Sequence, residues 1–417
     1  LANTKTMRFL FVSVILLGLL PGLPHAEAAK KTSSRITVSK PAAKAKKTAA
    51  KSAAKKKAPP AAARSSSAAK SRSYRPASVS KPRSAPARGP WRTPTFADST
   101  LGDHIDSEDL EVRRAAVEAL GRYNGSIVVT DANTGRVLAL VNQKLALSSG
   151  FQPCSTIKLV AALAALKEGI IPQSGEFQLS GKSLAELTSA MAASNNPYFA
   201  RLGVKLGFER VSFYARLFGL GERASLDIPG ETAGVLPARP PRNGGVGMMT
   251  SFGEGISLTP LQLAAFLGAV ANGGTLYYLQ HPPTHAQAER FVPRVKRQLE
   301  IGLWAEVLKT GMKAAVDYGT ARRAGALVED PVYGKTGTCT DFAKAAHMGW
   351  FGSFNEAGGR KLVVVVMLTG GKPVNGPVAS EIAGRIFSTL SRGDYFASNS
   401  TAAPPLPGVG GCCAFSR

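Results

Sequence analysis

Residues 29–95 contain 19 Lys and Arg and no Asp or Glu, set among Ala, Ser, Pro and Thr, and this stretch limits what the rest of the 417-residue chain can be. So little apolar surface cannot offset the entropy of ordering a backbone, so the segment is expected to be disordered. It also explains the charge. Of the net +25, this segment supplies +19 and residues 1–28 supply +1, which leaves +5 for everything from residue 96 onward. No aromatic interleaving and no recognised motif accompanies the lysines, which argues against specific nucleic-acid binding. Anionic wall polymer or a lipid membrane surface fits such a tail as partner, and a plain solvated spacer fits it as well.

Ahead of it, Arg8, the apolar run Phe9–Leu20 and Ala26-Glu27-Ala28 follow the order of an export signal: basic region, apolar core, small-x-small cleavage site. Residues 9–23 fall a little short of the roughly twenty apolar residues of a bilayer span, so an uncleaved inner-membrane anchor is the alternative. Either way the protein is expected to be exported, to the periplasm or cell envelope. The organisation that follows is 1–28 signal peptide or anchor, 29–100 disordered basic linker, 101–395 folded domain, and 396–417 flexible tail ending in Cys412-Cys413. About 300 residues can bury a substantial core.

Within that domain, Glu108–Arg122 has helical spacing of its apolar residues. Ser126–Asp131 and Arg136–Asn142 are β-type runs joined by Ala132-Asn133-Thr134-Gly135, a hairpin signal. Pro153 opens a helix through Ser155–Leu166. Residues 183–220 read as mainly helical, with breaks at Asn196-Pro197 and Gly207, and Gly244–Gly255 reads as a glycine-rich loop. Thr259-Pro260 caps a helix ended by Asn272-Gly273-Gly274, and Trp304–Val316 is another. Pro331–Cys339, His347–Phe354 and Lys361–Thr369 read as strands, and Pro377–Leu390 as a closing helix. Strands at both ends with helices between them predict an α+β layered domain.

Three short motifs carry chemistry. Ser155-Thr156-Ile157-Lys158 stands at a helix start, where residues three apart face the same way. A serine hydroxyl needs a base to become a nucleophile, and a lysine kept partly desolvated can be that base. The helix N-terminus also offers N–H groups to an oxyanion. Ser194-Asn195-Asn196 could add a proton-relaying hydroxyl and an amide that binds a carbonyl. Lys335-Thr336-Gly337-Thr338 places an ammonium and hydroxyls for a carboxylate on a strand, with Gly337 allowing close backbone approach. Singly these are an exposed helix start, an ordinary turn and a moderately specific strand. In this order, 39 and then 141 residues apart, they are strong together.

The trio resembles the Ser-x-x-Lys, Ser-x-Asn and Lys-Thr-Gly motifs of the penicillin-recognising enzymes. Gly125–Val141, "GSIVVTDANTGRVLALV", is similar to the opening hairpin of the transpeptidase domain. Residues 227–237, "DIPGETAGVLP", and Gly253–Gly274, "GEGISLTPLQLAAFLGAVANGG", resemble segments of the high-molecular-weight penicillin-binding proteins, and the resemblance spans about residues 105–392. It implies an antiparallel sheet flanked by helices with an inserted helical subdomain. It also implies a serine D,D-transpeptidase that cross-links peptidoglycan: Ser155 acylated by a D-Ala-D-Ala stem peptide, Lys158 the base, Ser194 the proton relay. Asn196 would hold the peptide backbone, and Lys335, Thr336 and Thr338 its carboxylate. The N–H groups of Ser155 and Thr338 would form the oxyanion hole. Stem peptides and β-lactam antibiotics would be the ligands, with no metal and no cofactor; the five histidines form no ligand pattern.

No glycosyltransferase motif is visible, and residues 29–100 cannot form the N-terminal pedestal of the long family members, so a monofunctional enzyme is expected. Cys154 precedes Ser155 and Cys339 follows Thr338. Certain class A β-lactamases carry a disulfide between cysteines at these two positions, and the resemblance therefore implies a Cys154–Cys339 bridge, which an exported location permits. Two small buried thiols are the other reading. The alternatives for function are a D,D-carboxypeptidase, a β-lactamase, and a non-enzymatic β-lactam sensor or wall-binding module. Glu231 lies in "PGETAG" and lacks the Glu-x-x-Leu-Asn pattern of the β-lactamases, which favours slow deacylation.

Overall fold

A computed structural model describes residues 91–397, apart from positions 173, 175, 181, 182, 227 and 343. The expected signal or anchor, most of the basic linker, the tail with Cys412-Cys413, and Asp227 lie outside the described residues. The elements begin with α1 (Leu110–Leu120), β1 (Gly125–Asp131), β2 (Val137–Val141) and α2 (Gln143–Ala146). A 3-10 turn, Cys154–Ile157, leads into α3 (Lys158–Lys167). Then come β3 (Glu176–Ser180), β4 (Ser183–Glu186), α4 (Leu187–Ala192), α5 (Asn196–Leu217), α6 (Gly245–Phe252) and α7 (Pro260–Asn272). β5 (Thr275–Tyr277), α8 (His285–Glu289), β6 (Val295–Gln298), α9 (Gly302–Asp317) and α10 (Arg322–Gly325) precede the closing β7 (Val332–Asp341), β8 (Ala346–Ala357), β9 (Arg360–Gly370) and α11 (Gly376–Arg392).

The main sheet has the order β2-β1-β9-β8-β7, with every pairing antiparallel. The central strand β9 shows why its sequence reads as one unbroken apolar run. Val363, Val365 and Met367 enter a core shared with α3, α5 and α7, whereas Leu362, Val364, Val366 and Leu368 enter a second core under α1 and α11. A strand covered on both faces has no polar side to alternate with. α3 is buried from Leu159 to Leu166 for a similar reason, since it runs through the first core. The α+β layered class is as the sequence implied, with β7 as an open edge.

Four details differ from the sequence reading. The helix expected from Ser155 begins as a 3-10 turn and becomes α-helical only at Lys158. Residues 176–186 form the β3–β4 hairpin instead of beginning a helical block, although the breaks near Asn196 and at Gly207 (φ 77°) are present. The glycine-rich stretch 244–255 holds a helix, α6: Gly244 and Gly253 occupy its two left-handed ends, and Gly247 is small because the Ala200 carbonyl lies 3.3 Å from where its Cβ would be. Packing starts ahead of residue 101, because the Arg92 N–H donates to the Ala345 carbonyl at 3.0 Å and Ser99 Oγ to the Tyr123 carbonyl at 2.9 Å. At the other end Phe396 is still buried. The Thr259-Pro260 cap is present with a reciprocal Thr259–Gln262 capping box.

Candidate active site

The turn bearing Ser155 is fixed by what precedes it. Phe151 and Leu258 exchange main-chain bonds at 2.9 and 2.8 Å, and the Gln152 carbonyl accepts from Trp350 Nε1 at 3.0 Å. Pro153 has φ −69°, ready for a helix start. Cys154 then takes φ 51°, a left-handed conformation unusual for a residue with a Cβ. In a 3-10 turn residues three apart eclipse one another, so Ser155 and Lys158 leave the turn on the same side. Ser155 is 9% exposed and Lys158 is fully buried.

Lys158 Nζ donates to the Ser194 carbonyl at 2.7 Å, to Ser194 Oγ at 2.9 Å and to Asn196 Oδ1 at 2.5 Å. The Phe199 ring lies 5.4 Å away. Lys335, also fully buried, brings its Nζ to the same Ser194 hydroxyl at 2.9 Å and to the Thr336 carbonyl at 3.1 Å. Two buried amines thus share one serine, and among the described residues neither has a carboxylate partner. Burial pushes Lys158 down to about 7. Burial, joined by the neighbouring Lys158 charge, holds Lys335 well below the usual lysine range.

The Ser-Asn-Asn triplet divides its tasks. Asn195 caps α5, its side chain accepting from the Tyr198 N–H at 3.0 Å. Ser194 bends through φ 54°, the site's second non-glycine residue in the left-handed region. Strain of this kind persists where the surroundings over-determine it. The bend lets Ser194 present both its carbonyl and its hydroxyl to Lys158, while Asn196 adds its amide oxygen.

β7 closes the site. Its pleat sets Lys335, Gly337 and Cys339 on the face toward the 153–158 turn. A Cβ at Gly337 would lie 3.1 Å from the Pro153 carbonyl and 3.2 Å from Cys154 Cβ. Glycine is therefore favoured there by strand-on-turn packing, in addition to any closeness to a ligand. Cys154 and Cys339 form a disulfide with Cα atoms 5.6 Å apart. Thr336 and Thr338 stand on the opposite face. Thr336 Oγ1 bonds Thr320 Oγ1 at 2.6 Å, and Thr338 Oγ1 accepts from the Gly376 N–H at 2.8 Å. β7 itself is the edge strand of the sheet.

The structure therefore joins Lys158, Ser194, Asn196 and Lys335 in one hydrogen-bonded cluster, with Ser155 three residues before Lys158 on the turn against which Gly337 of β7 packs. Sequence reasoning missed Thr320, Phe199 and Trp350. Trp350 lies in a stretch read only as a strand, Phe199 lies three residues beyond a motif, and Thr320 has no local signal. Glu231 is buried, its carboxylate accepting from the Ala224 N–H at 2.7 Å, the Ser225 N–H at 2.9 Å and the Ser225 hydroxyl. Among the described residues, no cluster of His, Cys, Asp and Glu is placed to hold a metal ion, and no helix is long and apolar enough to cross a membrane.

The family model "Penicillin binding protein transpeptidase domain" matches residues 125–388. Stage V sporulation protein D of Bacillus subtilis is 30% identical over 282 residues, which take in 60% of this chain and 43% of that protein. Peptidoglycan D,D-transpeptidase FtsI of Escherichia coli K12 is 25% identical over 245 residues, 48% of this chain and 42% of that one. The chain thus spans less than half the length of either relative. Among solved structures, PBP2 of Pseudomonas aeruginosa gives a TM-score of 0.56 at 25% identity, covering 70% of this chain and 75% of that one. The transpeptidase domain of Burkholderia pseudomallei penicillin-binding protein 3 gives 0.56 at 23% identity, covering 74% and 99%, and shows the fold.

Proposed function

Because the chain belongs to the penicillin-binding protein transpeptidase family, we propose that it is a serine D,D-transpeptidase that cross-links peptidoglycan through an acyl-enzyme on Ser155. The observation that carries this reading is the pair of buried lysines meeting at Ser194 with no carboxylate partner among the described residues. A lysine with its value near 7 is half neutral at neutral pH. On losing a proton, Lys158 gives up one of its three donated bonds and gains a lone pair for the Ser155 hydroxyl. Ser155 Oγ then attacks the carbonyl carbon between the two D-alanines, with the N–H groups of Ser155 and Thr338 binding the oxyanion. The peptide C–N bond breaks, and the proton returns through Ser194 to the departing D-alanine amine. An amine from a second stem peptide attacks the ester, forms the cross-link and restores the Ser155 hydroxyl.

Lys335 supplies the positive charge that a substrate carboxylate needs. With no acid beside it among the described residues, arrival of an anion relieves the cost of keeping that site charged. Thr336 and Thr338 add hydroxyls along the edge, and Asn196 an amide for the peptide backbone. Penicillins acylate the same serine. Water in place of the amine would make the protein a carboxypeptidase or β-lactamase. The engaged carboxylate of Glu231 leaves it no free oxygen for activating water, and this favours transfer. The setting we infer is the cell envelope, with residues 29–95 held to anionic wall polymer or lipid.

Incubation with a fluorescent penicillin is expected to label the chain covalently, and Ser155→Ala to abolish the label. Retained labelling of that variant removes Ser155 from the role. Release of D-alanine from a stem pentapeptide, followed with and without an amine acceptor, separates transfer from hydrolysis. A β-lactam sensor would be labelled yet release none, and a wall-binding module would take no label.

A further inference from the structure

α5 and α6 lie side by side with small residues at their seam. A Cβ on Gly203 would overlap the Thr250 side chain, one on Gly247 would approach Ala200, and Thr250 Oγ1 donates to the Phe199 carbonyl at 2.8 Å. Pairing 200 with 247 and 203 with 250 makes the two helices run the same way, so both begin at one end. A groove of about 660 Å³ opens there, lined by Pro197, Ala200, Arg201, Val204, Gly244 and Met248 among others. It starts one residue from Asn196, which is bonded to Lys158. Arg201 is its one charged lining residue, is exposed, and takes no hydrogen bond or ion pair from any described residue. Arg239 and Arg242, also exposed, stand on the segment leading into Gly244.

We propose that this groove is a subsite for a carboxylate-bearing stretch of the peptide substrate, with Arg201 as the group that holds it; the inference rests on the transpeptidase reading above. Apart from Arg201, the lining is two glycines and apolar side chains. The free guanidinium is the only lining group that selects by charge, and its planar fork matches a carboxylate in two parallel bonds. A stem peptide seated with its D-Ala-D-Ala end at Ser155 and its backbone on Asn196 extends its upstream residues toward Pro197. Those residues carry the α-carboxylate of a γ-linked glutamate and, in some walls, the free carboxylate of a diaminopimelate. Either supplies the same chemistry.

The test uses the full chain with Ser155→Ala, so that binding is not consumed by acylation. Fluorescein-labelled L-Ala-γ-D-Glu-diaminopimelate-D-Ala-D-Ala is titrated by anisotropy beside two versions, one amidated at the glutamate carboxylate and one at the diaminopimelate carboxylate. One amidation is expected to weaken binding about fivefold and so to identify the source. Adding Arg201→Gln is expected to weaken the parent peptide equally and erase the difference, with Arg201→Lys recovering part of it. Equal binding of all three peptides, no binding, or a carboxylate preference that survives Arg201→Gln overturns the proposal. An unchanged unfolding temperature shows that the Arg201→Gln protein is folded. Absence of penicillin labelling in the chain with Ser155 intact would instead sink the transpeptidase reading, and the peptide comparison would still decide the groove.

Discussion

Two sets of buried charges lie at opposite edges of the same sheet and are built on opposite plans. Beside β2, the Arg113 guanidinium is held by Asp103 at 2.7 Å, Glu108 at 3.1 Å and the Leu140 carbonyl at 3.0 Å. Glu108 also accepts from the Leu140 N–H at 2.9 Å and meets His281 Nε2 at 3.2 Å. Every charge there has an opposite. Beside β7, Lys158 and Lys335 are both fully buried and share only neutral oxygens. A matched cluster fixes the chain at 103–113 against β2 and leaves nothing over for chemistry. An unmatched one is costly to maintain and is therefore a place where a proton can leave or an anion can arrive.

That contrast breaks most sharply on substitution. Lys158→Met removes an uncompensated charge while keeping volume, so penicillin acylation is expected to fall by about a thousandfold or more, while the unfolding temperature holds or rises. A large drop in melting temperature would make Lys158 a structural residue. Arg113→Ala is expected to do the reverse. It strands Asp103 and Glu108 and costs about 3–5 kcal/mol of stability by denaturant titration, with labelling of the folded protein unchanged.

The unmatched seam, lacking an ion pair to hold it, has a covalent one. Cys154 and Cys339 are separated by 185 residues, and opening so long a loop is expected to cost about 3–5 kcal/mol. Replacing both with serine and comparing unfolding midpoints checks this; an unchanged midpoint would show that packing alone holds strand to turn.

The pH response is smaller and distinguishes the two edges without mutation. Only neutral Lys158 accepts the Ser155 proton, and its value is about 7. The acylation rate constant is expected to fall about tenfold per unit below pH 6 and to level off above 8. Its folded value is below its unfolded one, so the unfolded chain binds more protons and stability rises with pH between 7 and 10.5. Lys158→Met should reduce that slope and leave the part that Lys335, also held below the usual lysine range, contributes. A slope left wholly unchanged by the substitution would show that Lys158 contributes none of it. The smallest effect is expected at Thr320→Val, which removes the 2.6 Å bond to Thr336. About 1 kcal/mol, or roughly fivefold in acylation, is the expected loss.

How much of this was legible in the sequence depended on whether the cause was local. The cap at Thr259-Pro260 and the hairpin at 132–135 are written in adjacent residues, and both are present. The three motifs were legible because their chemistry dictates residue types at fixed short spacing. α6 was not, because glycine density reads as loop, while here the glycines terminate a helix or admit a neighbouring one. Thr320 was invisible for another reason: its hydroxyl meets a residue sixteen positions away on β7. The same is true of Arg113, whose partners Asp103 and Glu108 are near in sequence but become a cluster only once β2 supplies the Leu140 main chain.

Gly337 has one last implication. A side chain there would crowd the Pro153 carbonyl and Cys154 Cβ at 3.1 and 3.2 Å, so the spacing between nucleophile turn and anion-binding strand is tuned to within a few tenths of an ångström by a missing methyl. Selection can reshape the rim of this cleft freely, at Arg201 or in the 238–243 segment, but it cannot widen the jaws at that point without prising apart the two walls that hold the reacting groups in register.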